Sequence, residues 1–260
     1  MPEHIVVEHD GVTGTRLKRY LRAADVDYWT GRWHEARNVS YRRARRGHLP
    51  HQLRATFRRW VPAGARTLEA GCGLGHFTVA ADALGYRAEG LDWSEPTIDR
   101  LRERFSWIQW HVGDVRELQF ADQSFDAIYS PGVCEHFREG PGQVLKESHR
   151  VLRRGGIVVV STPCYNEWLQ ERSRMFTAVE QVDESTFHEY AFTPAGLAAV
   201  IEQLGFEVVQ IRPYATLDTL VRFGGWRVPR PFSHALAFGM DYLPVIHKWG
   251  STCMWVARKK

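Results

Sequence analysis

The chain has 260 residues, 44% of them hydrophobic, and its 34 Lys and Arg exceed its 30 Asp and Glu to give a net charge of +4; it can bury one full core with extensions, rather than two independent folds. No stretch approaches the ~18 apolar residues of a spanning helix and no apolar signal core follows the N-terminal charges, so a cytoplasmic location is expected. Cys72, Cys134, Cys164 and Cys253 show neither paired metal spacing nor disulfide-rich density and are expected as reduced thiols.

In chain order, the first distinctive feature is charge. Arg37, Arg42, Arg43, Arg45, Arg46, Arg54, Arg58 and Arg59 fall between Ala36 and Trp60 with no acid among them, so this segment carries +8 against +4 for the whole chain. Such a run is ordinarily a solvated face, but clustered guanidinium groups also receive anionic substrates, membrane surfaces or RNA. Next, Arg66-Thr67-Leu68 reads as a strand, and Glu69-Ala70-Gly71-Cys72-Gly73-Leu74-Gly75 turns it directly into a helix beginning near Phe77. Glycine lacks a Cβ, so such a turn can take positive φ and let a ligand touch backbone amides. A dinucleotide fingerprint would need glycine at position 76, where this chain has His76, and nicotinamide cofactors are therefore disfavoured.

Arg87–Asp92 reads as a second strand ending in an acid suited to two ribose hydroxyls; Trp93 follows and is expected to face the crevice, before a helix opened by Ser94 and Pro96. Trp107–His111 is a third strand running into Gly113-Asp114-Val115, and Phe125–Tyr129 a fourth. A helix at about Pro141–Leu152, a strand Ile157–Val160, a helix at about Pro194–Leu204 and strands Phe206–Ile211 and Ser251–Ala257 complete the pattern. The acids at 69, 92 and 114 are 23 and 22 residues apart, as successive strand–helix units require. Alternation of short buried strands with helices predicts an α/β fold, a sheet covered on both faces.

Glu69 through Gly75, Asp92, and Asp114 with Val115, in this order, resemble the motifs of the class I S-adenosylmethionine-dependent methyltransferases over about residues 61–211. The resemblance implies a Rossmann-like, doubly wound, mostly parallel seven-stranded sheet whose antiparallel last strand inserts beside the sixth. It implies S-adenosylmethionine as cofactor, S-adenosylhomocysteine as product, and a site comprising Glu69, Gly71, Cys72, Gly73, Gly75, Asp92, Trp93, Asp114, Val115 and Ser130. Glu69 would face the cofactor ammonium, and Asp114 with the Val115 amide would hold the adenine. It also implies an acceptor pocket built from an N-terminal helical arm, here residues 1–60, and from insertions at about 164–192 and 212–250 in the domain spanning 61–260. Those segments are rich in aromatics: Tyr28, Trp29, Trp33 and Tyr41, then Tyr165, Trp168, Phe176, Phe187 and Tyr190, then Phe223, Trp226, Phe232, Phe238 and Tyr242. An apolar or aromatic-bearing small acceptor is expected.

After the fourth strand, Ser130-Pro131-Gly132-Val133 lacks the Asp/Asn-Pro-Pro-aromatic sequence of enzymes that methylate base amines. Pro163-Cys164 comes close to a cytosine-carbon nucleophile, yet Ser-Thr-Pro is a common turn there in small-molecule enzymes, and Cys164 is read as a bystander. Glu135-His136 resembles the Glu-His pair of small-molecule methyltransferases, including the ubiquinone-pathway O-methyltransferases. Those add a Glu three residues earlier for a divalent ion; Gly132 stands at that place, and no metal is expected. His136 is the expected general base, with His188 its rival, since neutral imidazole suits proton removal near pH 7. The competing readings are an RNA methyltransferase using the Arg-rich arm and a non-catalytic cofactor-binding protein. RNA is disfavoured by the missing amine motif, and the oligomeric state is not legible.

Overall fold

The computed structural model describes residues 4–36 other than 12, residues 39–172, 182–222 and 246–260, and positions 224, 227, 236, 239–241 and 243. Arg37 and the aromatics Phe176, Phe223, Trp226, Phe232, Phe238 and Tyr242 lie outside the described residues.

The main sheet has seven strands: β3 (Arg66–Ala70), β4 (Arg87–Asp92), β5 (Gln109–Val112), β6 (Phe125–Pro131), β7 (Leu152–Pro163), β9 (Phe206–Tyr214) and β10 (Thr252–Lys259). Their spatial order is β5-β4-β3-β6-β7-β10-β9. The first five are mutually parallel, while β10 runs antiparallel to both neighbours, as the resemblance implies. Helices α3 (His76–Ala83), α4 (Glu95–Arg104), α5 (Gly142–Val151) and α7 (Pro194–Gln203) connect the strands, and a short α6 (Glu167–Glu171) follows β7. Two apolar clusters, one on each side, hold the layers together; one centres on Leu68, Ile128, Val158 and Trp255, the other on Phe57, Val79, Tyr129 and Val256. Strand alternation explains the division, since successive side chains of β6, β7 and β10 fall in opposite clusters.

Helix α2 (His51–Trp60) buries Leu53, Thr56 and Phe57, placing Leu53 and Phe57 in the second cluster, with Phe57 meeting Tyr129 edge-on at 5.1 Å between ring centroids. Its arginines face solvent: Arg54, Arg58 and Arg59 are exposed, as are Arg42, Arg43, Arg45 and Arg46 just before it.

The expected helical arm needs correction in its first third. Residues His4–Asp10 (β1) and Gly14–Tyr20 (β2) form an antiparallel hairpin, and only then does α1 (Val26–Glu35) begin. The β-branched run Ile5-Val6-Val7 followed by Asp10-Gly11 is the hairpin signal that was available in the chain. Strand β2 pairs in turn with β8 (Phe187–Phe192), making a separate three-stranded sheet. Arg16 stacks on the Tyr190 ring at 4.0 Å, and Arg19 pairs with Glu189 across the strands. The arm and the insertion around residue 190 are therefore one structure, joined to the end of β7 by a bridge between Cys164 and Phe192. No described helix is long and apolar enough to cross a membrane.

Candidate active site

Chain order reverses at β3, which has β4 on one side and β6 on the other. A crevice at the carboxyl ends of the strands opens at such a switch point, and here it is a cavity of about 330 Å³.

Its floor is the glycine turn. Gly71 has φ +83 and Gly73 φ +48, a region that side chains rarely adopt. A Cβ on Gly71 would lie 2.5 Å from Val133 Cγ2, and one on Gly73 2.7 Å from the Trp33 ring. The turn is fixed by backbone bonds: the Gly71 and Cys72 amides both donate to the Leu91 carbonyl at 2.8 Å, and the Gly73 amide donates to Asp92 Oδ2 at 2.8 Å. Gly75 has a different duty. It precedes α3 with φ +68, and a Cβ there would strike Trp110 at 2.6 Å, so it lets the helix close on the core and does not border the cavity.

Two buried carboxyls face this floor. Asp92, 5% exposed, also accepts from the Ser94 amide at 3.0 Å. Burial raises its pKa although the Ser94, Gly73 and Trp93 amides oppose the rise. Glu69, 3% exposed, accepts from the Thr78 amide at 2.8 Å and from the Thr78 hydroxyl. Burial pushes its carboxyl up to about 8, so it holds a proton at neutral pH.

Gly113 and Val115 form the next wall, without Asp114. The Arg116 guanidinium grips Asp114, with Nη2 2.7 Å from Oδ2 and Nε 3.1 Å from Oδ1, and the Arg116 amide adds a third bond. Burial opposes ionisation of Asp114, but these bonds outweigh it and lower its pKa. Ser130 is likewise engaged elsewhere: it is fully buried and donates to the Ala70 carbonyl at 2.7 Å, bracing β6 against β3. Trp93 does face the cavity, as expected, and its ring meets Phe137 edge-on.

Opposite the floor lie Pro131, Gly132, Val133, His136 and Phe137, and over it the indoles of Trp29 and Trp33, stacked at 5.2 Å. Aromatic enrichment of the N-terminal segment pointed to these indoles without placing them. Cys72, one of the expected residues, also lines the cavity, and Leu74, His76 and Phe77, which had no signal beyond adjacency to the glycines, complete it.

His136 sits in a short 3-10 turn, Cys134–His136, directly after β6. Its Nδ1 lies 2.8 Å from the His188 carbonyl, which can only accept, so Nδ1 carries the hydrogen and Nε2 is left unprotonated. Burial lowers its pKa to about 4. His188 is not on the cavity wall; it lies on β8, its ring 5.4 Å from His136, with Nδ1 bonded to the Arg22 carbonyl at 2.9 Å. Glu135 is 2% exposed with one carboxylate oxygen unpartnered, and burial pushes its pKa well up. Cys164 is buried in the main core away from the cavity, and none of the described arginines lines it.

Residues 68–160 match the family model described as a methyltransferase domain. A demethylmenaquinone methyltransferase of Bacillus licheniformis is 30% identical over 191 residues, covering 64% of this chain and 81% of that protein. A protein of Mycolicibacterium smegmatis described as a probable S-adenosylmethionine-dependent methyltransferase is 32% identical over 185 residues, 71% of this chain but 62% of that one. The match to a bifunctional biotin biosynthesis protein of Teredinibacter turnerae spans 27% of its length. Among solved structures, the 1,6-didemethyltoxoflavin-N1-methyltransferase of Burkholderia thailandensis, with bound 1,6-didemethyltoxoflavin and S-adenosylhomocysteine, aligns over 98% of this chain and 99% of its own at TM-score 0.57 and 18% identity. With the strand order, the glycine turn and Asp92 in place, the chain belongs to the class I S-adenosylmethionine-dependent methyltransferase family.

Proposed function

We propose that the protein transfers a methyl group from S-adenosylmethionine to a small, apolar or aromatic-bearing acceptor bound beneath Trp29 and Trp33. The observation that carries this reading is that one cavity joins the glycine floor and Asp92 to an aromatic roof and His136. The residues present fit the cofactor. Gly71 and Gly73 keep the floor clear of side chains, Asp92 keeps lone pairs for ribose hydroxyls, and Gly113 and Val115 offer a flat wall for a base. An ammonium near Glu69 would favour its ionised form. The bound cofactor supplies a methyl already activated by its sulfonium. What remains for the chain is alignment of an acceptor atom and exclusion of water, which the indoles, Phe137 and Val133 provide. His136 presents an unprotonated Nε2 to accept a bond from an acceptor hydroxyl or amine. Relatives named for demethylmenaquinone and for malonyl-[acyl-carrier protein] support a small or carrier-borne acceptor.

Incubation with labelled cofactor and separate pools of quinones, phenols, lipids, saccharide precursors and RNA tests the reading. Label in a small-molecule pool supports it, label in RNA replaces it, and no transfer despite tight cofactor binding favours a non-catalytic protein. Asp92→Ala is expected to weaken S-adenosylmethionine binding by about 1–3 kcal/mol in calorimetry, because ribose hydroxyls lose a charged acceptor and the Gly73 amide loses its anchor. Unchanged affinity would remove Asp92 from the site.

The exposed arginines before and on α2 stand apart from the cavity. Replacing Arg42, Arg43, Arg45 and Arg46 by Gln is expected to leave cofactor affinity unchanged. An RNA acceptor would instead show binding with a steep salt dependence that flattens in this variant, as fewer counterions are released; absence of RNA binding at low salt closes that reading.

A further inference from the structure

Gly132 leaves the turn after β6 without a carboxylate three residues before Glu135, but the fold supplies different donors. Among the described residues, a ring nitrogen of His136, a ring nitrogen of His188 and a carboxylate oxygen of Glu189 lie within 4.8 Å of one another. Adjacent residues of a regular strand point to opposite faces, so His188 and Glu189 could not ordinarily serve one site. Here β8 is irregular: Arg19 pairs with Glu189 and the next residue, Tyr20, pairs with Phe187, leaving His188 as the extra residue of a bulge. A bulge re-aims a side chain and releases a carbonyl from the ladder. The released His188 carbonyl is the group that holds His136 Nδ1.

We propose that His136, His188 and Glu189 bind one divalent transition-metal ion of the zinc type. Two imidazoles and a carboxylate are a donor set that zinc accepts, with three protein ligands and an open fourth position. Each ligand already has the outer bond that orients metal ligands. Nδ1 of His136 donates to the His188 carbonyl and Nδ1 of His188 to the Arg22 carbonyl, which leaves both Nε2 lone pairs available. Arg19 fixes the Glu189 carboxylate. Tetrahedral ligation with bonds of about 2.0–2.1 Å places donors about 3.3 Å apart, so the three side chains, which already bring donor atoms within 4.8 Å of one another, need to rotate and close in to form the shell. Tyr28 and Trp29 meet the His188 and His136 rings edge-on and shield them. A bound ion would occupy the Nε2 lone pair of His136, which borders the cavity, so the base role of that ring belongs to the metal-free site, and in the loaded site an acceptor oxygen would meet the ion's open position instead.

This inference does not rest on the methyl-transfer reading, and its test reads binding alone. The full-length protein, stripped with chelator, is titrated with Zn²⁺ by calorimetry and with Co²⁺ by visible absorption. One equivalent bound, a d–d spectrum of a low-coordinate ion, and a rise in Tm with Zn²⁺ are expected. His188→Ala and Glu189→Gln are expected to weaken Zn²⁺ binding by at least about 10–100-fold, the loss seen even for outer-shell changes. Retained S-adenosylmethionine binding shows that a variant is folded, and if His188→Ala does not fold, Glu189→Gln carries the test. No saturable binding to the wild type, or binding that neither variant weakens, overturns the proposal.

Discussion

His136→Ala is expected to lower turnover by about 10²–10⁴ while leaving cofactor affinity nearly unchanged, because the ring borders the acceptor side of the cavity and makes no bond to the glycine floor. The pH profile carries more information than the size of the loss. A histidine with its ordinary pKa near 6.5 would be half protonated at about that pH. Burial has moved His136 to about 4, so its Nε2 stays unprotonated from neutral pH down to that value. Activity depending on this lone pair therefore persists through pH 6.5 and falls only as the pH approaches about 4. The limb near the ordinary histidine range that a general base implies is accordingly displaced. A base this weak lies far from the working pH, which favours the lower end of the expected loss. The measurement is kcat and kcat/KM across pH with whichever acceptor pool takes label; near-normal turnover in the variant removes His136 from acceptor chemistry.

Trp255→Ala is expected to reduce folding stability by about 3–5 kcal/mol. Trp255 is fully buried in β10, the one antiparallel strand of the main sheet, and its indole nitrogen donates to the Pro194 carbonyl at 2.9 Å. Truncation opens a cavity where β10, α7 and β9 meet and leaves a carbonyl without its donor. Urea denaturation followed by circular dichroism checks this, and a loss under about 1 kcal/mol would show that the core collapses around the missing indole.

The half of the cleft proposed for the cofactor was legible as a structure because its parts are local. The turn, its glycines, Asp92 and Val115 lie within strand–loop–helix units whose spacing is written in consecutive residues. Where an expected residue stands elsewhere, a neighbour had prior claim on its polar atoms. Arg116, two residues along, occupies Asp114, and the Ala70 carbonyl occupies Ser130. The half proposed for the acceptor was much less legible, since its parts meet only through pairing across 170 residues, as between Arg19 and Glu189. Aromatic enrichment announced Trp29 and Trp33 as a class, yet their stacking over Gly73 depends on where the β1–β2 hairpin delivers α1. The bulge at His188 had no signal in the chain, because it arises from the mismatch between two strands.

Helix α1 has no buried residue, although it carries both indoles of the roof. A ten-residue helix is marginal by itself in water, and this one is held by its half-buried face of Tyr28, Trp29, Thr30 and Trp33, with Thr30 Oγ1 donating to Ser94 Oγ at 3.0 Å. On the proposed function, residence time in the cleft would depend on a segment held in part by the same indoles that line the cavity. Under the proposed methyl transfer, a flat acceptor that adds its own stacking to Trp29 and Trp33 would lengthen its stay and delay the exchange of spent cofactor. A poorly stacking one would leave quickly, before the methyl had moved, so selection among acceptors would fall to dwell time as much as to shape.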